Sequence, residues 1–464
     1  IAGIGFDAAC SMVVLDQEMN AMSISASGDP AKNVIVWMDH RAKRQAEKIN
    51  SHGHPVLDYV GGRMSPEMQT PKLLWLKENM PDSFAAAGQF FDLPDFLTWK
   101  ATGSLARSAC TVTCKWTYLA HEARWDESYF GQIGLGVLAE EGFARIGQTI
   151  VAPGTALGRG ISDATAAEMG LEPGTPVGAA LIDAHAGGVG TVGAAGADGP
   201  EATMAYVFGT SACTMATSSV ANKVPGVWGP YYSAMVPDMW LSEGGQSAAG
   251  EAIAHLVKAH PASAEASARA TDQDLSLQSY LLQTVEERVA HPSDAIRLAG
   301  ARVIVPDVLG NRAPYADPGA TAVVSGLTVE NEMDDLLRTY VAAVLGIGYG
   351  LRQIMAAQAD HEVCPKAIVI SGGAGESATI KQLLADASGY PILATTCPEP
   401  VLLGAAMLGA VASGEQQSLR AAMAAMSRIE TEFTPSVAYA APHQARYTAF
   451  KLLQKADQIA RSVR

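Results

Sequence analysis

Hydrophobic and polar positions along the chain follow two different periods. Short apolar runs bounded by glycine, proline or charged residues are typical of buried strands. Such runs lie at 33–38, 175–182, 205–208, 213–217 and 366–370. Longer stretches with an apolar side chain at every third or fourth position predict helices. They lie at 71–79, 94–102, 248–258, 341–359 and 445–460. Strands mixed with helices in this order are typical of an α/β protein.

The first apolar run begins at residue 1, without a polar lead-in and without a methionine. Its pattern predicts a strand, a turn and a second strand over Ile1 to Asp16. Because chain termini are usually poorly ordered, a strand at the first residue indicates that further sequence precedes Ile1. A processed terminus is the alternative.

Small and turn-forming residues are concentrated at 194–203, which makes this segment the best candidate for a domain boundary. The segment comes after a predicted strand and a helix of small residues, and it comes before a predicted hairpin. We therefore expect two domains, 1–194 and 195–464, on either side of a cleft.

The composition narrows the class of protein. Hydrophobic residues make up 48% and charged residues 17% of the 464 residues, which is enough for a large core and excludes a disordered protein. The net charge of −15 disfavours nucleic acid and anionic membrane surfaces as partners. A small phosphorylated ligand remains compatible, because backbone N–H groups can hold a phosphate. We see no apolar stretch near the ~20 residues of a membrane-spanning helix, and we expect a soluble, cytoplasmic protein.

Six cysteines are scattered through the chain without a Cys-x-x-Cys pair. Cys110 and Cys114 are four residues apart, but no second Cys/His pair with metal-binding spacing accompanies them in the sequence. We expect buried free thiols in a reducing compartment, with no disulfide and no metal site.

Two common nucleotide-binding motifs are absent or misplaced. The sequence contains no Gly-x-x-x-x-Gly-Lys-Ser/Thr loop. Residues 188–193 match Gly-x-Gly-x-x-Gly, but they follow small residues rather than a strand, and no acidic residue lies ~20 positions downstream. We interpret these glycines as positions of close helix packing.

Three glycine-rich segments are predicted to form turns directly after strands. They are Gly209-Thr210-Ser211, Glu243-Gly244-Gly245-Gln246 and Ser371-Gly372-Gly373. Turns of this kind bring backbone N–H groups and hydroxyls to phosphate oxygens. One such turn is a weak signal, but three in one half of the chain favour a nucleotide site.

Single polar residues beside the predicted elements allow two interpretations each. Asp183 follows an apolar strand, where its carboxylate either caps the following helix or acts as a catalytic base. Asp39 is either a helix N-cap or, with Trp37 beside it, an acceptor for sugar hydroxyls. Lys72 is a surface lysine on its pattern alone.

Taken in order along the chain, the motifs resemble those of the FGGY carbohydrate kinases. The matching segments are Trp37-Met-Asp39-His-Arg41, Pro71-Lys72-Leu-Leu-Trp75, Gly178-Ala-Ala-Leu-Ile-Asp183-Ala-His185-Ala-Gly187, Gly209-Thr210-Ser211, Glu243-Gly-Gly-Gln246, Gly310-Asn311-Arg312, Ser371-Gly372-Gly373 and Pro400-Val-Leu-Leu-Gly404. The resemblance runs from Ile1 to about Arg464. The segments around Asp39 and Asp183, with Gly229-Pro-Tyr-Tyr232, are most similar to the D-ribulokinase branch.

The resemblance implies a fold and a reaction. FGGY kinases have two actin-like (ribonuclease H-like) ATPase domains around a cleft, with the sugar bound mainly by the first domain and ATP by the second. By matching position, Asp183 is the implied general base on the terminal hydroxyl of a ketopentose. Mg2+ and backbone N–H groups are implied to neutralise phosphate charge in a loose transition state.

The resemblance also assigns binding residues and an assembly. Sugar-contacting positions match Ala9, Lys72 and Glu243, with Trp37 and Asp39 beside them. Nucleotide-contacting positions match Gly209, Thr210, Ser211, Gly372, Gly373 and Ser377, and Gly310 with Asn311 belongs to a loop near the nucleotide. A homodimer is a further family-based expectation.

The chain departs from the family pattern at two places. FGGY kinases open with a strand carrying Asp-x-Gly-Thr, which contacts the transferred phosphate and the Mg2+ zone, and this chain has no such segment. We therefore expect the first domain to be truncated at its front. Glu376 follows the nucleotide turn, where an acidic side chain is unfavourable unless it points away.

The leading hypothesis is ATP-dependent phosphorylation of D-ribulose to D-ribulose 5-phosphate. Alternatives within the family are L-ribulose, D-xylulose or a polyol as the substrate. An alternative from another class is a sugar- or nucleotide-binding fragment without catalysis, which the missing Asp-x-Gly-Thr segment supports. An actin- or chaperone-like ATPase shares the fold, but it has no reason to keep Trp37, Asp39, Lys72 and Glu243 together.

Overall fold

The computed structural model describes residues 1–373 and 377–463, which divide into two compact units. Unit 1 comprises Ile1–Glu201, Met215–Glu243 and Glu399–Arg428, and unit 2 comprises Ala202–Thr214, Gly244–Pro398 and Ile429–Arg464. The units are therefore interleaved along the sequence. The first segment of unit 1 ends at Glu201, and the domain boundary at 194/195 stays a prediction.

The described residues form short strands and helices of one to seven turns. The strands are β1 (Asp7–Ala8), β2 (Met12–Asp16), β3 (Val34–Ile35), β4 (Ala87–Asp92), β5 (Arg107–Ser108), β6 (Ile150–Val151), β7 (Leu181–Ile182), β8 (Thr203–Phe208), β9 (Ala212–Ser218), β10 (Trp228–Tyr232), β11 (Trp240–Gln246), β12 (Val303–Val305), β13 (Val323–Ser325), β14 (Ala367–Ser371), β15 (Ile392–Thr395) and β16 (Ile429–Phe433). The helices are α1 (Lys43–Ser51), α2 (Gln69–Asn79), α3 (Pro81–Ala86), α4 (Leu93–Thr102), α5 (Ala109–Trp116), α6 (Glu127–Gln132), α7 (Gly136–Glu140), α8 (Asp163–Met169), α9 (Asp183–Val192), α10 (Gly250–Lys258), α11 (Ser263–Asp272), α12 (Leu277–Arg288), α13 (Met333–Ala359), α14 (Ala378–Ser388), α15 (Pro400–Ala412), α16 (Leu419–Met426) and α17 (Ala440–Arg461).

The core of unit 1 contains a three-stranded antiparallel sheet in the order β3-β2-β4. Its central strand β2 has neighbours on both sides, and the side chains from Met12 to Leu15 are at most 2% exposed. Phe91 of β4 packs against Val13 and Leu15 of β2. Burial of these large apolar side chains is the main force that holds the sheet in place.

Close packing between α9 and α15 depends on glycine. A Cβ on Gly190 would overlap the carbonyl of Pro400, and a Cβ on Gly404 would overlap the carbonyl of Ala186. Both positions therefore need a residue without a side chain. The interpretation as helix-packing glycines is confirmed for Gly190 and for Gly193, which lies against Met423 of α16, whereas Gly188 lies against Met235 outside the helices.

The core of unit 2 is a mixed sheet. Its strands that contain residues of unit 2 have the order β11-β9-β8-β14-β15-β16. β14 pairs in parallel with β8 and with β15, and β16 pairs antiparallel to β15. Ile368 and Val369 of β14 have no exposed surface, because they lie between two neighbouring strands. The carboxyl ends of β8 and β14 consequently lie at the same edge of the sheet.

The long helix α13 is the one helix of the described residues that is long and apolar enough to cross a membrane by length and composition. Its most apolar window has a mean hydropathy of 1.2, and 78% of that window is buried inside the fold. The expectation that no apolar stretch approaches the length of a membrane span is therefore wrong for this helix. Its apolar character is accounted for by burial, including packing against α14.

Several predicted elements differ in the structure. The strand expected at 33–38 is reduced to β3, and the strand expected from residue 1 is reduced to β1. The strand expected at 175–182 is reduced to β7, in which Leu181 and Ile182 pair with β1. Val177 and Gly178 form isolated bridges with Ile4 and Ala156 rather than a continuous strand. The turn expected over Glu243 to Gln246 is wrong, since these residues continue β11. A Cβ on Gly245 would overlap the carbonyl of Ala212, so this glycine serves close strand approach rather than chain reversal.

Candidate active site

Asp183 lies at the junction between β7 and α9. It is the first residue of α9, and Ile182 is the N-cap residue. The carboxylate oxygen Oδ1 accepts a hydrogen bond from the backbone N–H of Ala184 at 2.7 Å. The half-buried side chain therefore stabilises the helix start with one oxygen and has a second oxygen for other contacts. The geometry is compatible with both interpretations of Asp183, and the general base stays a prediction.

Asp7 lies near Asp183, and the sequence analysis did not single it out. β1 and β7 pair in parallel with Asp7 opposite Leu181. Burial and the charge of Asp183 raise the pKa of Asp7 to about 6. Ala9, an expected sugar contact, follows β1 directly and is half-buried. The available signal was that Asp7, like Asp183, lies at the end of a short apolar run.

Four buried side chains form a row that joins α9 to α5 and β11. In His185, Nδ1 lies 3.1 Å from Sγ of Cys110 and Nε2 lies 3.3 Å from Oε2 of Glu243. On the other side of Glu243, Nζ of Lys115 lies 3.8 Å from Oε1. Glu243 was expected at the site. Cys110, Lys115 and His185 were not assigned a role, because their pairing depends on contacts between distant segments.

The charges in this row alternate. Burial by itself would lower the pKa of His185, but Cys110 and Glu243 raise it above its usual value. Burial also disfavours the charged form of Lys115, and Glu243 raises its pKa well above the usual value. Burial disfavours a thiolate at Cys110, yet the hydrogen bond with Cys114 and the charge of His185 lower its pKa. A thiolate, an imidazolium, a carboxylate and an ammonium thus compensate one another away from water.

The same cluster contains side chains that can hold a metal ion. Cys114, His185 and Glu243 bring their ligand atoms within 4.8 Å of one another. Thiolate, imidazole and carboxylate together suit Zn2+. Lys115 competes with such an ion, because its ammonium group is paired with Glu243. The cysteine spacing predicted no metal site, because His185 and Glu243 approach Cys114 only in the tertiary structure.

Lys72 is fully buried on α2, so the interpretation as a surface lysine is wrong. Its Nζ donates hydrogen bonds to the carbonyls of Val36 at 3.1 Å and Trp37 at 3.2 Å. Burial lowers the pKa of Lys72. The backbone N–H of Trp37 also donates to Oγ of Ser11. Lys72 therefore fixes the segment that carries Trp37, and direct contact with a sugar stays a prediction.

Asp39 is paired within its own turn. Nε and Nη2 of Arg41 donate to Oδ2 of Asp39 at 2.9 and 2.6 Å. The guanidinium carbon of Arg41 lies 4.9 Å from the ring centroid of Trp75. This pairing lowers the pKa of Asp39 and keeps it an acceptor. The N-cap interpretation is wrong, because α1 begins at Lys43 with Ala42 as its N-cap.

In unit 2, the hairpin between β8 and β9 carries the predicted phosphate turn. The N–H of Gly209 donates to the carbonyl of Ser211 at 2.9 Å and closes the turn. The N–H groups of Ala249 and Gly250 donate to the carbonyls of Thr210 and Gly209, so the start of α10 supports the turn. Gly209 and Thr210 are exposed. Their contact with ATP stays a prediction.

The second predicted nucleotide turn lies beside this hairpin. Gly372 and Gly373 directly follow β14, in which Ser371 pairs with Val207 of β8. Gly372 has a φ of +88°, and a Cβ there would overlap the carbonyl of Phe208, the residue before the hairpin turn. The turns at Gly209 and Gly372 thus lie side by side at one edge of the sheet, although they are 163 residues apart in the sequence.

Two further predicted nucleotide positions take part in local structure. Ser377 is the N-cap of α14, and its Oγ accepts the N–H of Ile380 at 3.2 Å. Its contact with the nucleotide stays a prediction. Glu376, whose acidic character was unexpected there, lies outside the described residues.

The loop at Gly310 and Asn311 is held by its own side chains. Nδ2 of Asn311 lies 3.4 and 3.2 Å from the two carboxylate oxygens of Asp307, and its Oδ1 accepts the N–H of Tyr315. Burial raises the pKa of Asp307 to about 6. Gly310 has a φ of +79° and lies close to Pro318. The side chain of Asn311 therefore stabilises the loop, and a role near the nucleotide stays a prediction.

The two units carry complementary chemistry. Unit 1 has half-buried carboxylates beside a buried row of polar groups, which suits a polyhydroxylated ligand. Unit 2 has glycine turns at a sheet edge, which suit phosphate groups. An α/β protein with both kinds of site has the features of a phosphotransferase that acts on a sugar.

The comparison with known proteins assigns the family. The N-terminal and C-terminal domain models of the FGGY family of carbohydrate kinases match residues 3–190 and 204–413. An FGGY carbohydrate kinase domain-containing protein from Danio rerio is 44% identical over 461 residues, which cover 97% of this chain and 84% of that protein. The chain therefore belongs to the FGGY family and is a carbohydrate kinase. ATP is the phosphate donor that the family implies.

Other relatives and solved structures agree with this assignment. The Homo sapiens protein of the same name is 43% identical, with coverage of 97% of this chain and 83% of that protein. A D-ribulokinase from Saccharomyces cerevisiae is 36% identical, with coverage of 89% and 62%. The crystal structure of gluconate kinase from Lactobacillus acidophilus superposes with a TM-score of 0.78 at 19% identity, with coverage of 98% and 84%. The predicted two-domain α/β fold of the sugar kinases is thereby confirmed.

Proposed function

We propose that this carbohydrate kinase transfers the γ-phosphoryl group of ATP to the terminal hydroxyl of D-ribulose, which forms D-ribulose 5-phosphate and ADP. The observation that carries the choice of sugar is the 36% identity with the D-ribulokinase of Saccharomyces cerevisiae over 447 residues. A protein named ribulokinase from Shouchella clausii is 29% identical, which supports a pentulose more generally. L-Ribulose, D-xylulose and polyols are the alternative substrates.

Asp183 is the proposed general base. The hydrogen bond from the backbone N–H of Ala184 orients its carboxylate at the start of α9. We assign Oδ2 to the sugar hydroxyl. Because phosphoryl transfer passes through a loose transition state, the carboxylate mainly orients the hydroxyl and accepts its proton late.

Lys115 and Glu243 are proposed to bind sugar hydroxyls together. An ammonium group donates hydrogen bonds and a carboxylate accepts them, which matches the donor and acceptor character of a polyol. Lys115 also lies 4.8 Å from the ring centroid of Trp228, which can form an apolar wall. The predicted contacts at Ala9, Lys72, Trp37 and Asp39 belong to the same proposed sugar site in unit 1.

ATP is proposed to bind to the turns of unit 2, at Gly209, Thr210, Ser211, Gly372 and Gly373. Gly209, Thr210, Gly372 and Gly373 are exposed, and Ser211 is half-buried, which leaves these turns accessible to phosphate oxygens. Ser377, Gly310 and Asn311 are the further proposed nucleotide contacts.

Mg2+ is proposed to accompany ATP and to neutralise charge on the transferred phosphate. Carboxylate oxygens are the ligands that Mg2+ prefers, and Asp7 and Asp183 supply them in unit 1. A divalent cation beside them would offset the repulsion that contributes to the raised pKa of Asp7. A magnesium titration of turnover tests this proposal, and full activity in the presence of excess chelator contradicts it.

The same proposal includes a cytoplasmic homodimer. Light scattering of the purified full-length protein measures its mass, and a mass equal to one chain at all concentrations contradicts the dimer. Fractionation of the source cells tests the location.

The experiment for the reaction is a coupled ADP-release assay on a panel of D-ribulose, L-ribulose, D-xylulose and ribitol. We expect the highest kcat/KM with D-ribulose. Asp183→Asn should lower kcat by at least ~100-fold while the sugar Kd changes little. Asp163→Asn is the matched control, because Asp163 is also the first residue of a helix in unit 1.

The outcomes separate the parts of the proposal. A higher kcat/KM with another sugar rejects D-ribulose and keeps the kinase reaction. Near-normal turnover of Asp183→Asn rejects the general base. If calorimetry shows sugar binding but no sugar on the panel leads to release of ADP from ATP, catalysis by this chain is rejected.

A further inference from the structure

The sulfur atom of Cys110 contacts both sides of Asp183. Cys110 is fully buried in α5. Its Sγ accepts a hydrogen bond from the backbone N–H of Ile182 at 3.4 Å and lies 3.1 Å from Nδ1 of His185. Ile182 precedes Asp183, and His185 follows it by two residues. The sulfur atom of Cys110 in α5 thus holds the backbone of Ile182 before Asp183 and the imidazole of His185 after Asp183.

We propose that Cys110 is a positioning residue whose sulfur atom fixes the β7–α9 junction, so that the carboxylate of Asp183 is oriented toward the sugar hydroxyl. This inference rests on the proposed role of Asp183 as the general base. Cys110 itself contacts neither the sugar nor ATP. It acts through Asp183.

The β7–α9 junction needs a contact of this kind. The first N–H groups of a helix have no partner within the helix, and α9 has no side-chain cap hydrogen bond at its N-cap residue Ile182. The sulfur atom of Cys110 accepts the N–H of Ile182, and Asp183 accepts the N–H of Ala184. α9 also contains three glycines within its ten residues, and glycine leaves the backbone more freedom than any other residue.

The two contacts of Cys110 are extended by a third residue. The sulfur atom lies within hydrogen-bond distance of both the backbone N–H of Ile182 and Nδ1 of His185. His185 is held in turn by Glu243 at 3.3 Å. Both ring nitrogens of His185 are therefore held, by Cys110 and by Glu243. These contacts limit rotation of the first turn of α9. A positional error of about 1 Å at a reacting group can cost ~100-fold in rate.

The test compares Cys110→Ala and Cys110→Ser with Val112→Ala. Val112 lies on the same helix and is 1% exposed, so its truncation controls for lost packing in α5. Steady-state kinetics with D-ribulose and ATP, sugar binding by calorimetry and thermal unfolding are measured for each variant. We expect Cys110→Ala to lower kcat by ~10- to 100-fold with both KM values within ~3-fold.

Cys110→Ser should lie between the wild type and Cys110→Ala, because a hydroxyl can accept a hydrogen bond but is smaller than sulfur and keeps only one of the two contacts. Val112→Ala should keep kcat within ~3-fold, even if it unfolds at a lower temperature. Unchanged kcat in both Cys110 variants overturns the proposal. An equal loss of kcat in Val112→Ala also overturns it, because packing then explains the effect.

Two further outcomes are decisive. If Cys110→Ala does not fold, Cys110→Ser is judged by the same kinetic criteria, and failure of both to fold overturns a role that is specific to Asp183. If Asp183→Asn is inactive while Cys110→Ala is fully active, only the positioning inference fails. If Asp183→Asn keeps its turnover, the proposed general base fails first.

Discussion

The ammonium nitrogen of Lys115 lies 3.8 Å from Oε1 of Glu243, and both side chains are almost completely buried. The pair joins α5 to β11, two elements that are far apart in the sequence. Removal of one partner from a buried ion pair is costly, because it leaves a charge without compensation in a region of low dielectric constant. This pair therefore connects the stability of unit 1 to its proposed sugar site.

Lys115→Met should lower the free energy of unfolding by ~3–5 kcal/mol, because Glu243 then keeps only His185 as a buried partner, and His185 is shared with Cys110. Urea unfolding measures this change. Lys223→Met is the control, since Lys223 forms an exposed ion pair with Asp58 and exposed pairs contribute ~0–1 kcal/mol. The double variant Lys115→Met/Glu243→Gln should lose less than the sum of the two single variants. An equal loss in Lys115→Met and Lys223→Met contradicts this account.

The stability contributed by Asp7 should fall as the pH rises. The pKa of Asp7 in the folded protein is raised to about 6 from 3.8, so the folded state holds this proton more tightly than the unfolded state. Stability from this group is present at low pH and is lost as the pH rises through about 6. Asp7→Asn should therefore stabilise the protein at pH 7 by about 1 kcal/mol, after allowance for partial exposure.

Urea unfolding of the wild type and of Asp7→Asn at pH 4 and pH 7 measures the effect. The gain from the substitution should be larger at pH 7 than at pH 4. Other buried carboxylates titrate in the same range, so the difference between the two proteins is the relevant quantity. A gain that does not depend on pH would show that the raised pKa of Asp7 is incorrect.

Gly372→Ala should weaken ATP binding. The substitution places a Cβ against the carbonyl of Phe208 at a φ of +88°, which costs ~1–2 kcal/mol for an L-residue. Displacement of this turn should raise the KM for ATP about tenfold, since 1.4 kcal/mol corresponds to a factor of ten. Gly389→Ala is the matched control, because Gly389 also has a positive φ of +78°, a Cβ there meets no atom of the described residues within 4 Å, and Gly389 is not a proposed ATP contact. Equal KM values in the two variants would contradict a specific role of Gly372.

Lys72→Met should loosen the segment that carries Trp37. The substitution removes two hydrogen bonds from an ammonium group to backbone carbonyls, and such a loss costs ~1–3 kcal/mol. Hydrogen exchange of the peptide spanning 33–38 should become faster, and the KM for the sugar should rise more than the KM for ATP. Lys77→Met is the control on the same helix, where Lys77 donates to the carbonyl of Gly134. A higher sugar KM without faster exchange would indicate direct sugar contact instead.

Elements that depend on neighbours in sequence were predicted well. The hairpin at Gly209, the strand before Gly372 and the helix after Asp183 all occur where the apolar runs and glycines predicted them. Helical periodicity and tight turns are set by backbone conformations of a few consecutive residues. Local patterns were therefore sufficient to locate three of the candidate site segments.

The misassigned residues depend on partners from distant segments. Glu243 to Gln246 contain two glycines and were interpreted as a turn. They are extended because Glu243 pairs with Trp228 of β10 and Gly245 lies close against Ala212 of β9. Lys72 has no local sign of burial, yet it is fully buried because two backbone carbonyls at 36 and 37 accept its hydrogen bonds. Side-chain environment is a property of packing, and packing is not encoded in a single short segment.

By itself, the sequence determined the α/β class, the family resemblance and the order of the site segments, because these depend on local periodicity and on short motifs. Only the tertiary structure decided that Cys110, Lys115, His185 and Glu243 form one buried row of alternating charge beside Asp183. Charged groups can remain buried only where opposite charges lie within a few ångströms. Here the partners come from segments more than 50 residues apart in the sequence, as for Cys110 with His185 and for His185 with Glu243. Only folding brings these segments together.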